Sequence, residues 1–90
     1  EMFIADTGNN VVRRVFANGT ISTFAGVRYS YSTVCPIAGD GGIATQARLC
    51  QPNDIFVSPT DEVFISDTFN CIVRKVLANN TIITVFGKNG

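Results

Sequence analysis

Short runs of β-forming residues, separated by polar turn residues, dominate the hydrophobic pattern of the chain. Met2–Thr7, Val11–Ala17 and Thr20–Ala25 are three such runs, and Val63–Thr68, Ile72–Ala78 and Thr81–Phe86 are three more. A seventh, Asn53–Ser58, is followed by the turn signal Pro59-Thr60-Asp61-Glu62. Turn segments separate the runs: Gly8-Asn9-Asn10 and Asn18-Gly19 in the first half, Phe69-Asn70-Cys71 and Asn79-Asn80 in the second. Asn-Gly is a strong hairpin signal because both residues tolerate positive φ, and Asn-Asn can serve at a higher cost. Apolar residues fall on both parities at Val11-Val12, Val15-Phe16, Ile82-Ile83 and Val85-Phe86. A sheet with one wet face alternates cleanly, so this pattern predicts sheets covered on both faces. No segment holds a helical period; the nearest, Ile43–Leu49, predicts one or two turns.

The pattern repeats. Residues 3–26, FIADTGNNVVRRVFANGTISTFAG, align without a gap on residues 64–87, FISDTFNCIVRKVLANNTIITVFG, at an offset of 61 and with 14 of 24 positions identical. The expected division is therefore 1–26 as a first unit of three strands, 27–52 as a connection, and 53–90 as a second unit of four strands. Four antiparallel strands per repeat predict an all-β fold made of β-propeller blades.

IADTGNNVVRRV and ISDTFNCIVRKV, each followed by a hairpin and a strand ending in glycine, resemble the NHL-repeat β-propeller family. GDGGIATQARLCQPNDIFV resembles the linker and first strand of secreted or bacterial-type members. The resemblance covers nearly the whole chain, with departures at Phe69, at Cys71 and in the longer connection Val27–Pro36. It implies about two blades of a propeller that commonly has six. Its remaining blades are then the first partners. It also implies a non-enzymatic scaffold binding a protein or glycan on its loop face. The alternative is part of a propeller lyase or hydrolase with a central metal, whose catalytic residues come from blades outside these residues.

Composition narrows the partners. Seven basic and seven acidic residues cancel, which argues against a nucleic-acid ligand or direct membrane contact. No apolar run approaches bilayer length. There is no histidine and no CxxC spacing, so neither a metal nor another cofactor is expected, and no catalytic residue is assigned. The opening Glu1-Met2-Phe3 falls inside a strand with no targeting segment before it, which reads as a piece of a longer chain. Alone, two such units leave wide apolar faces wet, so the isolated chain is expected to aggregate or oligomerise.

Several residues carry specific expectations. Asp6 with Arg13 and Asp67 with Arg74 are expected to form ion pairs, partly buried between units and setting register; the competing reading is a ligand-binding carboxylate. Cys35, Cys50 and Cys71 form an odd set, pointing to an oxidising location with one thiol left over. A Cys35–Cys50 bridge would close a loop of about fifteen residues, contributing roughly 3 kcal/mol. Cys50–Cys71 is the alternative bridge, and three reduced thiols the third reading. Asn18-Gly19-Thr20 and Asn79-Asn80-Thr81 are glycosylation sequons at equivalent turns, readable also as turn chemistry alone. Gly39-Asp40-Gly41-Gly42 reads as a tight turn, and Tyr29 and Tyr31 as partner contacts or loop packing. Together these point to an extracellular or secretory setting.

Overall fold

A computed structural model describes residues 2–28 and 39–87. The chain forms two antiparallel sheets. The first has the order β1 (Met2–Asp6), β2 (Val11–Val15), β3 (Ile21–Ala25). The second has the order β4 (Pro52–Val57), β5 (Val63–Asp67), β6 (Ile72–Val76), β7 (Ile82–Phe86). Six of the seven strands sit where the runs of β-formers predict them, shortened by one or two residues at an end, and β4 keeps the length of the Asn53–Ser58 run but starts and ends one residue earlier. The helix expected over Ile43–Leu49 is a single 3-10 turn, Ala44–Gln46.

Turn chemistry explains the shortened ends. Phe16 N–H donates to Thr20 O at 2.8 Å and Gly19 N–H to Phe16 O at 2.9 Å, so β2 stops at Val15. Leu77 and Asn80 repeat both bonds at the second hairpin, with Thr81 and Leu77 as acceptors. Only one residue of each pair takes positive φ: Gly19 at 88° and Asn80 at 69°. Asn18 and Asn79 instead accept the N–H of Thr20 and Thr81 on their side-chain oxygens, at 3.0 and 3.1 Å. Both hairpins are thus longer loops with one left-handed residue, rather than two-residue turns with two.

The two sheets share their irregularities as well as their strands. β2 and β3 slip between Val12 and Arg13, and β6 and β7 slip between Val73 and Arg74. Such a bulge bends the strand and re-aims its neighbours. In each sheet it brings the arginine opposite a threonine, Thr23 or Thr84.

The core lies between the sheets and is closed by the 39–51 connection. Val12 and Ala25 come from the first sheet; Val63, Ile65, Val76 and Ile82 from the second; Ala44, Ala47 and Leu49 from the connection. Phe3, Phe24 and Ile55 pack at its margin. Burying each larger aliphatic side chain contributes about 1.5–3 kcal/mol. The connection also extends the second sheet. Gly41 N–H donates to Ile82 O at 2.7 Å, Ile82 N–H to Gly42 O at 3.0 Å, and Ala44 N–H to Asn80 O at 2.8 Å. Gly26 N–H donates to Ala44 O at 2.9 Å and ties the first sheet to the same segment. Gly39 must be glycine: its φ is 95°, and a Cβ there would lie 2.5 Å from the Ala47 Cα.

Equivalent faces of the two sheets have opposite fates. Val63, Ile65 and Ile82 are 3%, 0% and 0% exposed, whereas their counterparts Met2, Ile4 and Ile21 are 60%, 41% and 60% exposed. The reason is coverage. The first sheet and the connection lie over one face of the second sheet, and no described residue lies over the matching face of the first. Phe56 and Phe86 are exposed on the far side of the second sheet.

Candidate binding rim and buried ion cluster

The second sheet holds a buried charge cluster. Asp67 ends β5 and Arg74 sits mid-β6, and both side chains are fully buried. They approach at 3.5 Å, through Arg74 Nη1 and Asp67 Oδ2. Closer partners come from the connection. Arg74 Nη2 donates to Asp40 Oδ1 at 2.7 Å, and Arg74 Nη1 to the Arg48 carbonyl at 2.6 Å. Cys50 N–H donates to Asp67 Oδ1 at 2.6 Å, and Asn70 Nδ2 to Asp67 Oδ2 at 3.1 Å. Asp40 also accepts from Thr84 Oγ1 at 2.5 Å. The cluster therefore clasps the connection onto the second sheet.

The first sheet builds the smaller version. Arg13 Nε donates to Asp6 Oδ2 at 3.1 Å, Arg13 Nη1 to Thr23 Oγ1 at 2.6 Å, and Asn9 Nδ2 to Asp6 Oδ2 at 3.0 Å. The Arg13 and Asp6 side chains remain 25% and 32% exposed. Both expected pairs are present, with unequal surroundings: one is sealed beneath the connection and the other lies on the open face.

Surroundings set the two carboxylates apart. Burial raises the Asp67 pKa above the ordinary 3.8, opposed by the Cys50 N–H, Asn70 and Arg74. The Asn9 hydrogen bond lowers that of Asp6, with Arg13 adding to it and partial burial opposing.

Asp40 is the partner that the linear pattern concealed. The turn over 39–42 exists, closed by Gly42 N–H to Gly39 O at 2.9 Å, and the tight-turn expectation accounts for its glycines but not for its carboxylate. One signal was available. Arginine has five N–H donors, and a buried one needs more acceptors than a single aspartate supplies. Lys75 pairs with Glu62 at 3.2 Å near the surface.

At one end of the sheets the turns converge. Single 3-10 turns at Thr7–Asn9 and Thr68–Asn70 end in left-handed residues, Asn10 (φ 62°) and Cys71 (φ 59°). Asn10 Oδ1 accepts Gln51 N–H at 2.7 Å, Phe69 N–H donates to Cys50 O at 3.2 Å, and Thr7 Oγ1 donates to Pro52 O at 2.8 Å. Arg28 Nε reaches Asn9 Oδ1 at 3.2 Å. Phe69 stands 57% exposed on this rim. At the other end a groove of about 510 Å³ runs between Phe3, Phe24, Val57, Val63 and Leu77, with Arg14 on its wall.

Cys50 is buried and disulfide-bonded, and Cys71 is a free, exposed thiol. The Cys50–Cys71 bridge considered above is therefore not made. Cys71 caps the 68–70 turn in the left-handed region, facing solvent. The expectation of three reduced thiols is corrected as well. Cys35, Tyr29 and Tyr31 lie outside the described residues. Asn18 and Asn79 are exposed at their hairpins. Among the described residues, no three His, Cys, Asp or Glu side chains gather as a metal site, and no helix is long and apolar enough to cross a membrane.

No known family profile matches the chain. It is similar to teneurin-1 of Gallus gallus, 35% identical over 77 residues, covering 78% of this chain. It is also similar to teneurin-1 of Mus musculus and Homo sapiens, 32% and 31% identical over 88 residues, covering 87% of this chain. The chain spans about 3% of the length of these curated relatives.

Proposed function

We propose that this chain is a two-blade segment of an NHL-type β-propeller, serving as a non-enzymatic scaffold that binds a protein or glycan on its turn-bearing rim. The observation that carries the reading is the unequal burial of equivalent faces: Val63, Ile65 and Ile82 covered, Met2, Ile4 and Ile21 open. A duplicated sheet that buries one face against its neighbour and leaves the matching face open has the arrangement of stacked repeats, each needing the next. Phe56 and Phe86 offer the opposite open face. The first sheet also has β1 at its edge, where its equivalent β5 is paired with β4. A fourth strand from an adjoining segment fits that edge. The short span of the teneurin-1 relatives that this chain matches supports reading it as one small part of a long polypeptide.

Function then falls to the rim. Exposed Phe69 and Arg28 bring an aromatic and a cationic group to this rim, with the Asn9 amide beside Arg28. Exposed aromatic and arginine side chains dominate recognition surfaces. Zero net charge disfavours a nucleic-acid partner. An extracellular setting belongs to the same reading, supported by the Cys50 disulfide and by sequons on exposed turns.

The test is binding by the secreted polypeptide that carries these residues, screened against glycan arrays and purified ectodomains. Phe69→Ala and Arg28→Ala should each weaken the best ligand at least about ten-fold without altering the circular dichroism spectrum. Binding indifferent to both substitutions, or turnover of the bound ligand, would overturn the proposal.

A further inference from the structure

The first sheet carries an ion cluster built like that of the second but without its loop. We infer that Asp6, Arg13 and Thr23 form an acceptor site for an aspartate-bearing loop of the Gly39–Cys50 kind, carried by an adjoining repeat. The inference rests on the blade reading above and names what seats on the open face.

The repeat itself supplies the occupied form of the site. Asp6, Arg13 and Thr23 correspond to Asp67, Arg74 and Thr84 at the same offset, in the same register and at the same bulge. On the second sheet all three are engaged by the loop: Asp67 by Cys50 N–H, Arg74 by the Asp40 carboxylate and the Arg48 carbonyl, Thr84 by the other Asp40 oxygen. On the first sheet, Arg13 turns to Thr23 directly at 2.6 Å, the position an incoming carboxylate would take between them. Among the described residues, Asp6 Oδ1 accepts no hydrogen bond and Arg13 Nη2 donates none. Those are the counterparts of the two atoms that meet Cys50 and Asp40.

The surroundings match a peptide loop better than a free anion. Ile82 exchanges two backbone bonds with Gly41 and Gly42, and its counterpart Ile21 lies on the outer strand of its sheet in the same orientation. Ala44, Ala47 and Leu49 cover Val63, Ile65 and Ile82, and the exposed Met2, Ile4 and Ile21 await the same cover. A small anion could meet Arg13 alone. Only a loop brings the carboxylate, a backbone N–H for Asp6, two strand bonds and apolar cover together.

The repeat offset also gives the test. Residue 62 precedes Val63 as the position before Met2 precedes Met2, so a copy of residues 27–62 can be joined directly ahead of Met2 in the 90-residue chain. Amide hydrogen exchange is then measured with and without Asp40→Asn in the added copy only, a change that leaves the original loop and sheet untouched. Ile21 should gain at least about ten-fold protection, and the added Asp40→Asn should remove most of it while the Met2–Asp6 amides stay protected by the added strand. Protection of Met2–Asp6 with Ile21 unchanged, or insensitive to Asp40→Asn, would overturn the acceptor site and leave the blade reading standing. No protection in either place would overturn both.

Discussion

Arg74 Nη2 lies 2.7 Å from Asp40 Oδ1, although the two residues are separated by most of the connection and by two strands. The Arg74 side chain is fully buried and Asp40 is partly exposed, so the contact joins the interior of the second sheet to its surface. It fixes where the connection sits. Ala44, Ala47 and Leu49, which follow Asp40, then pack with Ile65 and Ile82 rather than facing solvent.

Asp40→Asn should lower stability by about 1–3 kcal/mol, because a buried guanidinium loses its closest charged partner, 2.7 Å away against 3.5 Å for Asp67. Thr84→Val removes one hydrogen bond and should cost about 0.5–1.5 kcal/mol. Urea unfolding of both variants measures this. A cost for Thr84→Val exceeding that of Asp40→Asn would mean that Asp40 acts mainly through the threonine.

Ile65→Ala should cost about 2–5 kcal/mol and Ile4→Ala less than about 1 kcal/mol, although the two isoleucines are the same residue of the repeat. The first leaves a cavity between the sheets and the second trims an exposed side chain. Equal costs in denaturant titrations would show that the open face is covered in solution.

The two equivalent aspartates should respond to acid in opposite directions. Asp67 has a raised pKa, so the folded state binds its proton more readily than the unfolded state does. Its contribution to stability is full below the ordinary 3.8 and is lost as pH rises through the raised value. Asp6 has a lowered pKa, so its contribution is present above 3.8 and is lost as pH falls through the lowered value. The stability difference between wild type and Asp67→Asn should therefore grow on acidification from about pH 7 to about pH 4, and that between wild type and Asp6→Asn should shrink below about pH 4. Urea midpoints across that range decide it; slopes of the same sign for both would refute the assignment.

Gly26→Ala should destabilise by at least about 1 kcal/mol, and Gly8→Ala should be close to neutral. Gly26 has φ 93°, and an added Cβ would stand 2.6 Å from the Asn10 carbonyl oxygen, whereas a Cβ on Gly8 meets nothing within 4 Å. Thermal melts of the two variants provide the comparison.

A maleimide probe applied to the folded protein should label Cys71 and leave Cys50 untouched until a reductant is added. Peptide mapping under non-reducing conditions reads this directly. Labelling of Cys50 before reduction would contradict the disulfide.

The seven strands, the hairpin sites and the duplication are legible in the linear pattern of residues. Those are local properties, and the offset of 61 let each unit vouch for the other: β-formers at Ile4 and Ile65, turn amides at Asn18 and Asn79, a glycine closing each copy. The Asp–Arg pairs were legible for the same reason, since seven residues across one tight turn bring them to neighbouring strands. Everything that depends on which neighbour covers which face was settled by the packing of the sheets and the connection. Alternation reports that a side chain points to one side, and it is silent on what lies there. Thus Ile4 and Ile65 share a pattern and differ in burial, Asp6 and Asp67 share a motif and shift in opposite directions, and Asp40 shows in the sequence as a turn residue. Its role appears only when the connection folds back across the sheet to reach Arg74, because a contact over that chain separation has no local signature.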